Sequence, residues 1–161
     1  YIFPGTHSKH ILVKNECAVS FKTFMTGEVF ALLSDHSILK SAMHQGEFAD
    51  YTASFIEGVN RSGDQNLLNQ FFTIRANELF SLRSKEENYY FLSGLLIGYE
   101  LAALENAAGP GIYLCAGGKI LELYKTALLV MGHEDKTRTF STQRSDVAVA
   151  VGQYRIYQNH H

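Results

Sequence analysis

Two stretches of the chain carry residue types that could hold an anion or a flat ligand. The first is Pro4-Gly5-Thr6-His7-Ser8-Lys9, which joins two apolar segments. Its glycine permits close backbone approach, Thr6 and Ser8 can donate hydroxyls, and Lys9 supplies positive charge. Those are the groups that bind phosphate oxygens in a turn. The same residues would also serve as an ordinary decorated hairpin loop.

The second is Ala116-Gly117-Gly118-Lys119, placed between an apolar run and an amphipathic stretch. Adjacent glycines let a ligand lie against main chain, and a helix N-terminus just beyond them favours negative charge. A tight strand-to-helix turn needs the same glycines. Both readings stay open for each stretch.

Other polar groups point less clearly to chemistry. His7 and His10 have the spacing of a metal pair, but no further ligands stand at zinc-like intervals, so no metal site is expected. Glu86-Glu87 opens a helical stretch, where acidic residues complement the macrodipole. Asp35, His36 and Asp50 read as solvated, and Arg75 and Arg83 as exposed arginines beside an apolar helix. No Gly-x-Ser-x-Gly, Gly-x-x-x-x-Gly-Lys-[Ser/Thr] or Gly-x-Gly-x-x-Gly stretch is present.

The elements that must position these groups follow from periodicity. Tyr1-Ile2-Phe3, His10-Ile11-Leu12-Val13 and Cys17–Phe24 read as three successive strands, the last alternating with period 2 as if one face were buried. Thr26 reads as the N-cap of a helix through Leu33. Residues 41–82 look helical, broken by the polar stretch 60–66. Phe48, Thr52, Phe55, Ile56 and Val59 repeat at helical spacing, and so do Leu67, Leu68, Phe71, Phe72 and Ile74.

A long helix is predicted over 85–106. Ser93, Gly94, Gly98, Ala102 and Ala103 give it a strip along which another backbone could approach. After a turn at 107–111, Ile112-Tyr113-Leu114-Cys115 reads as a buried strand and 120–131 as a helix capped by Gly132. Arg138-Thr139-Phe140 is a short strand, and 146–157, with Ala148, Val149, Val151 and Gly152, a closing helix. The order is βββ-α, a helical insert, then βα-βα. It predicts an α/β fold: a mixed sheet with an antiparallel meander and helices packed over it.

Bulk properties exclude several classes. The 161 residues are 46% hydrophobic and 19% charged, with a net charge of −2, so no basic face suited to a phosphate backbone is expected and nucleic acid is not a partner. The longest apolar run, 91–99, falls far short of the roughly 20 residues of a membrane span. No signal peptide is visible at Tyr1. Cys17 and Cys115 read as separate core residues in a reducing compartment. The chain opens directly on an apolar strand, which reads as a fragment or processed product, and His160 and His161 read as tag remnants.

Taken together, the blocks Pro4-Gly5-Thr6-His7-Ser8-Lys9, Phe21-Lys22-Thr23-Phe24-Met25-Thr26-Gly27-Glu28 and His36-Ser37-Ile38-Leu39 resemble 2-keto-3-deoxygalactonate kinases. Phe91-Leu92-Ser93-Gly94-Leu95-Leu96-Ile97-Gly98-Tyr99-Glu100 and Leu114-Cys115-Ala116-Gly117-Gly118 with Leu123-Tyr124 look like later blocks of that family. The resemblance runs in order along nearly the whole chain.

It implies the C-terminal, nucleotide-side lobe of an actin-like (ribonuclease H-like) kinase. ATP would lie in a cleft between two lobes, with magnesium on its phosphates. The reaction implied moves the γ-phosphoryl of ATP to the 6-hydroxyl of 2-dehydro-3-deoxy-galactonate, a cytoplasmic step of galactonate breakdown. Carried over, Gly5, Thr6, Ser8 and Lys9 would form the second phosphate loop. Gly117, Gly118 and Lys119 would form the adenosine turn, and 93–98 the second interdomain helix. Thr26, Glu28 and Arg75 would stand near the substrate.

The family often has tryptophan after the loop lysine, where this chain has His10, and Lys119 stands where a small or hydroxyl residue is usual. The N-terminal lobe, and with it the catalytic base, would be missing, so the chain alone would not turn over. Its bared lobe interface would favour self-association. A non-catalytic binding module of the same fold and a kinase for another sugar acid or an amino sugar stand as alternatives.

Overall fold

The hairpin turn after the second strand is built on Asn15 and Glu16, both with positive φ (51° and 63°), the geometry whose twist matches two antiparallel strands. In the computed structural model, which describes residues 1–64, 66–104, 111–140 and 142–160, this turn joins β2 (Ser8–Lys14) to β3 (Cys17–Phe24). β1 (Ile2–Phe3) pairs antiparallel with β2 and parallel with β4 (Ile112–Cys115), and β4 pairs parallel with β5 (Thr137–Phe140). The five-stranded sheet therefore has the order β3-β2-β1-β4-β5, an antiparallel meander grafted onto two parallel crossovers. This is the mixed α/β sheet the element order predicts.

Six helices accompany the strands among the described residues: α1 (Thr26–His36), α2 (Phe48–Arg61), α3 (Leu67–Leu79), α4 (Lys85–Leu101), α5 (Gly118–Val130) and α6 (Thr142–His160). The reading of 41–82 as two helices needs one correction. Residues 40–42 form only a 3-10 turn, and α2 begins at Phe48, the first residue of the apolar repeat. At the other end α5 starts at Gly118, two residues early, and α6 starts at Thr142. The turn expected at 107–111 lies almost wholly outside the described residues, as does the end of the 85–106 helix.

α4 is the axis of the packing. Its start is fixed by a capping box: Ser84 Oγ accepts from the Glu87 backbone N–H and the Glu87 carboxylate accepts from Ser84 N–H, so two orphan donors are satisfied at once. Residues 90–98 of α4 are buried without a break. The small-residue strip faces α2. A Cβ on Gly94 would lie 2.0 Å from the Phe55 carbonyl oxygen, and one on Gly58 of α2 would lie 2.2 Å from that of Phe91. Nothing larger than hydrogen fits between the two backbones.

Two apolar clusters share this helix. One joins Ile2 and Leu114 of the sheet to Phe55, Tyr90, Ile97, Tyr124 and Leu128. The other joins Leu39 and Ile74 to Phe91, Leu92 and Leu95.

Several expectations about burial fail. β3 alternates by type, yet it is an edge strand with both faces open: Val19 and Phe21 are 53% and 60% exposed. Period 2 records which side chains share a face, whereas burial requires a second layer against that face. Cys17, on the same strand, is exposed rather than a core residue. It lies three strands from Cys115 in the sheet order, about 14 Å at normal strand spacing, too far for a disulfide. The closing helix is present as α6, with Val147, Val151 and Ile156 exposed on it. Arg75 and Arg83 are also less exposed than expected, each held against a glutamate.

Candidate nucleotide-binding cleft

The predicted phosphate loop is short because β1 and β2 are antiparallel neighbours joined by residues 4–7. The loop lies on the N-terminus of α1. The Thr6 carbonyl accepts from the Glu28 backbone N–H at 3.0 Å, and a Cβ on Gly27 would lie 2.7 Å from the Gly5 carbonyl oxygen and 2.8 Å from Thr6 Cα. His7 Nε2 meets Glu28 Oε2 at 2.6 Å, and Lys9 Nζ donates to the His7 carbonyl at 3.0 Å. Gly5 itself faces open space.

The Gly117-Gly118 turn launches α5. Gly117 is extended (φ −139°, ψ 172°) and places no side chain over the helix end, while Gly118 takes φ +57°, a conformation costly for any residue with a Cβ. The first N–H groups of α5 are left without a side-chain cap. Lys119 is exposed, its Nζ 3.4 Å from Glu47 Oε1.

The fold brings these two stretches, 112 residues apart from Gly5 to Gly117 in the sequence, to one cleft. A cavity of about 240 Å³ is lined by Gly5 from the loop, Thr26 and Gly27 from α1, and Lys119 and Tyr124 from α5. Phe30, Ile97, Ile120 and Leu123 supply apolar walls, with Gln45, Tyr89 and Ser93 as polar groups among them. A mostly apolar slot with a few convergent polar groups and an uncapped helix end at its edge suits a flat ligand that carries an anion.

Behind the cleft stands a buried carboxylate. Glu100, near the end of α4, is 2% exposed. Its Oε1 accepts from Ser8 Oγ at 2.6 Å and pairs with His10 Nε2 at 2.8 Å, and its Oε2 accepts from Tyr124 OH at 2.7 Å and from Thr26 Oγ1. Burial pushes its pKa up, but the bonds from His10, Ser8, Thr26 and Tyr124 together outweigh burial and hold it below the ordinary carboxylate value. Burial and the neighbouring carboxylate push the Tyr124 hydroxyl well above its usual range, so it remains a donor.

The predicted site residues therefore fall into three groups. Gly5, Thr26 and Lys119 line the cleft, and Thr6, Gly117 and Gly118 belong to the turns that frame it. Ser8 is 0% exposed and points to Glu100, away from solvent; Glu28 is engaged by His7. Arg75 bonds Glu78 and, at 3.0 Å, Ser41 Oγ, and is not among the residues lining the cleft.

Thr26 is also not the N-cap of α1. Met25 holds that position, with no side-chain cap, because the Thr26 hydroxyl is spent on Glu100. His7 and His10 bind two different carboxylates, and no group of three or more His, Cys, Asp or Glu that could hold a metal ion occurs among the described residues. No helix among the described residues is long and apolar enough to cross a membrane.

Sequence reasoning assigned no role to Glu100 and did not single out Tyr124 for chemistry. One signal was available: Glu100 is the lone charged residue in the run from Phe91 to Leu104, which is otherwise uncharged and mostly apolar, where a charge needs several partners.

A mixed α/β fold with a cleft between its meander and its last crossover is a layout suited to nucleotide binding. Comparison with known proteins is more specific. Residues 1–154 match the 2-keto-3-deoxy-galactonokinase family, and the chain belongs to it. It is 36% identical over 134 residues to the protein named "Probable 2-dehydro-3-deoxygalactonokinase DgoK1" of Rhizobium meliloti (strain 1021), covering 80% of this chain and 44% of the relative. It is 35% identical over 136 residues to the 2-dehydro-3-deoxygalactonokinase of Escherichia coli (strain K12), covering 82% and 46%. A crystal structure from Sinorhizobium meliloti, described under the 2-dehydro-3-deoxygalactonokinase name, superposes with a TM-score of 0.79 at 33% identity, over 88% of this chain and 47% of that one. The chain thus spans about half the length of the relatives it matches.

Proposed function

We propose that this chain is the nucleotide-binding lobe of an ATP-dependent sugar-acid kinase with an actin-like fold, and that the rest of the protein supplies a second lobe across the cleft. The whole protein would transfer the γ-phosphoryl group of ATP to the 6-hydroxyl of 2-dehydro-3-deoxy-D-galactonate, in the cytoplasm where galactonate is broken down. The observation that carries this reading is a single cavity lined by Gly5 of the residue 4–7 loop and by Lys119, which directly follows the Gly117-Gly118 turn. Relatives about twice as long, and exposed apolar side chains on α6 such as Val147 and Ile156, support a further lobe packed against this one.

The residues present fit ATP. The apolar slot beside Ile120 and Leu123 accommodates a base, and the uncapped N–H groups of α5 favour negative charge. The backbone of Gly5 and Thr6, with Lys119 nearby, would hold phosphate oxygens at the loop end, whereas Lys9 turns its Nζ to the His7 carbonyl and does not line the cavity. ATP supplies the transferable phosphoryl; these residues bind and orient it, which is most of what phosphoryl transfer asks of a protein. Magnesium would arrive on the phosphates, and the described residues offer no ligand set of their own for it. The base that takes the proton from the sugar hydroxyl would stand on the other lobe.

Gly117→Val in the full-length protein tests the nucleotide assignment. Gly117 has an extended backbone that valine also adopts, so the variant is expected to fold. Saturating ATP at 100 times its Kd should stabilise the wild type by about 2.7 kcal/mol and raise its Tm, while the variant shows little shift. Equal shifts would count against this reading, because ATP would then not meet the Gly117 turn.

A further inference from the structure

Glu100 ties together the three elements that carry the cleft. Ser8 and His10 belong to β2, directly after the residue 4–7 loop. Thr26 is the first residue of α1, and its neighbour Gly27 abuts Gly5. Tyr124 lies on α5, about one and a half turns beyond the Gly117-Gly118 turn. Each element sends at least one donor to the same carboxylate, two per oxygen, and the partners lie 24 to 92 residues away in sequence.

Hydrophobic packing alone would place these elements near one another with some freedom to slide. A buried anion accepting four directional bonds removes that freedom, because moving any element by an ångström breaks a bond to a charge that has no water to replace it. Tyr124 and Thr26 line the cleft, while the Ser8 side chain is wholly buried and cannot touch a ligand.

We propose that Glu100 is a positioning residue that sets the spacing between the phosphate-binding loop and the adenosine turn, and so the affinity for ATP. The inference rests on the kinase reading above. It assigns Ser8 to this support and not to direct phosphate contact.

The test uses the full-length protein, with Glu100→Asp and Ser8→Ala. Glu100→Asp keeps the charge but draws it back by one methylene, so it cannot reach all four donors. Ser8→Ala removes one donor and nothing that a ligand could contact. The expected result is a KM for ATP, and an ATP Kd, raised roughly tenfold or more in Glu100→Asp, with kcat changed much less. Ser8→Ala should give a smaller rise in the same direction, and no further rise in a Glu100→Gln background.

Unchanged KM and Kd for ATP, with kcat falling in proportion to the folded fraction, would overturn the proposal and leave Glu100 a stability residue only. Should Glu100→Asp fail to fold, Ser8→Ala alone decides between these two patterns. A wild type that binds ATP without turnover would sink the kinase reading, and the ATP Kd of the variants would still decide this one. A wild type that neither turns over nor binds ATP would overturn both.

Discussion

Gly27, the second residue of α1, lies so close to Gly5 that a Cβ on it would stand 2.7 Å from the Gly5 carbonyl oxygen. The loop between β1 and β2 and the start of α1 are therefore in backbone contact, and the Glu28 N–H to Thr6 carbonyl bond locks the arrangement.

Gly27→Ala must push the residue 4–7 loop outward, since the atoms in the way are main chain. Overpacking of this kind costs about 1–3 kcal/mol, and here it falls on a surface loop. The variant should remain folded by circular dichroism while its ATP Kd rises. Calorimetry that gives the wild-type Kd would show that the loop does not contact the nucleotide.

Gly94→Ala strikes the core instead. Its Cβ would lie 2.0 Å from the Phe55 carbonyl oxygen and 3.1 Å from the Val59 nitrogen, so α2 and α4 must separate. The loss should reach or exceed about 3 kcal/mol, read from urea denaturation. Gly152→Ala, at an α6 position with nothing within 4 Å, serves as the control and should change stability little.

Acid should loosen the cleft. The Glu100 carboxylate is held below its ordinary value of 4.5 in the folded chain, so its contribution to stability is complete above that value. It is lost as pH falls through the lower folded value. Glu100→Gln should be less stable than wild type at neutral pH, with the gap narrowing on acidification. A gap that stays constant through that window, measured by thermal melts, would show that the charge is not what stabilises.

Gly118→Ala introduces a Cβ at φ +57°, with no neighbour within 4 Å to clash. The cost is conformational alone, about 1–2 kcal/mol. A melt that shows no loss would mean the turn readily adopts another geometry.

Much of the fold was legible because it is local. The three successive strands, the period of β3, the start of α4 at Lys85 and the small-residue strip at Gly94 and Gly98 each follow from residues within a few positions. Long-range facts were not legible. Thr26 has the chemistry of an N-cap, yet its hydroxyl goes to a carboxylate 74 residues on. Ser8 has the chemistry of a phosphate ligand, yet Glu100, 92 residues away, takes it inward. Val19 and Phe21 alternate like a half-buried strand, but what covers a strand is decided by layers its own sequence does not specify. The resemblance to sugar-acid kinases named both glycine turns; only the fold shows that Gly5 of the first and Lys119, next to the second, line one cavity.

The most direct measurement is ATP-dependent phosphorylation by the full-length protein, with 2-dehydro-3-deoxy-D-galactonate beside 2-dehydro-3-deoxy-D-gluconate and the 161-residue chain run in parallel. The predicted result is turnover of the galactonate derivative by the full-length protein and none by the 161-residue chain. Absence of turnover on both acids by a folded full-length protein would contradict the kinase assignment, and turnover by the short chain alone would contradict the need for a second lobe.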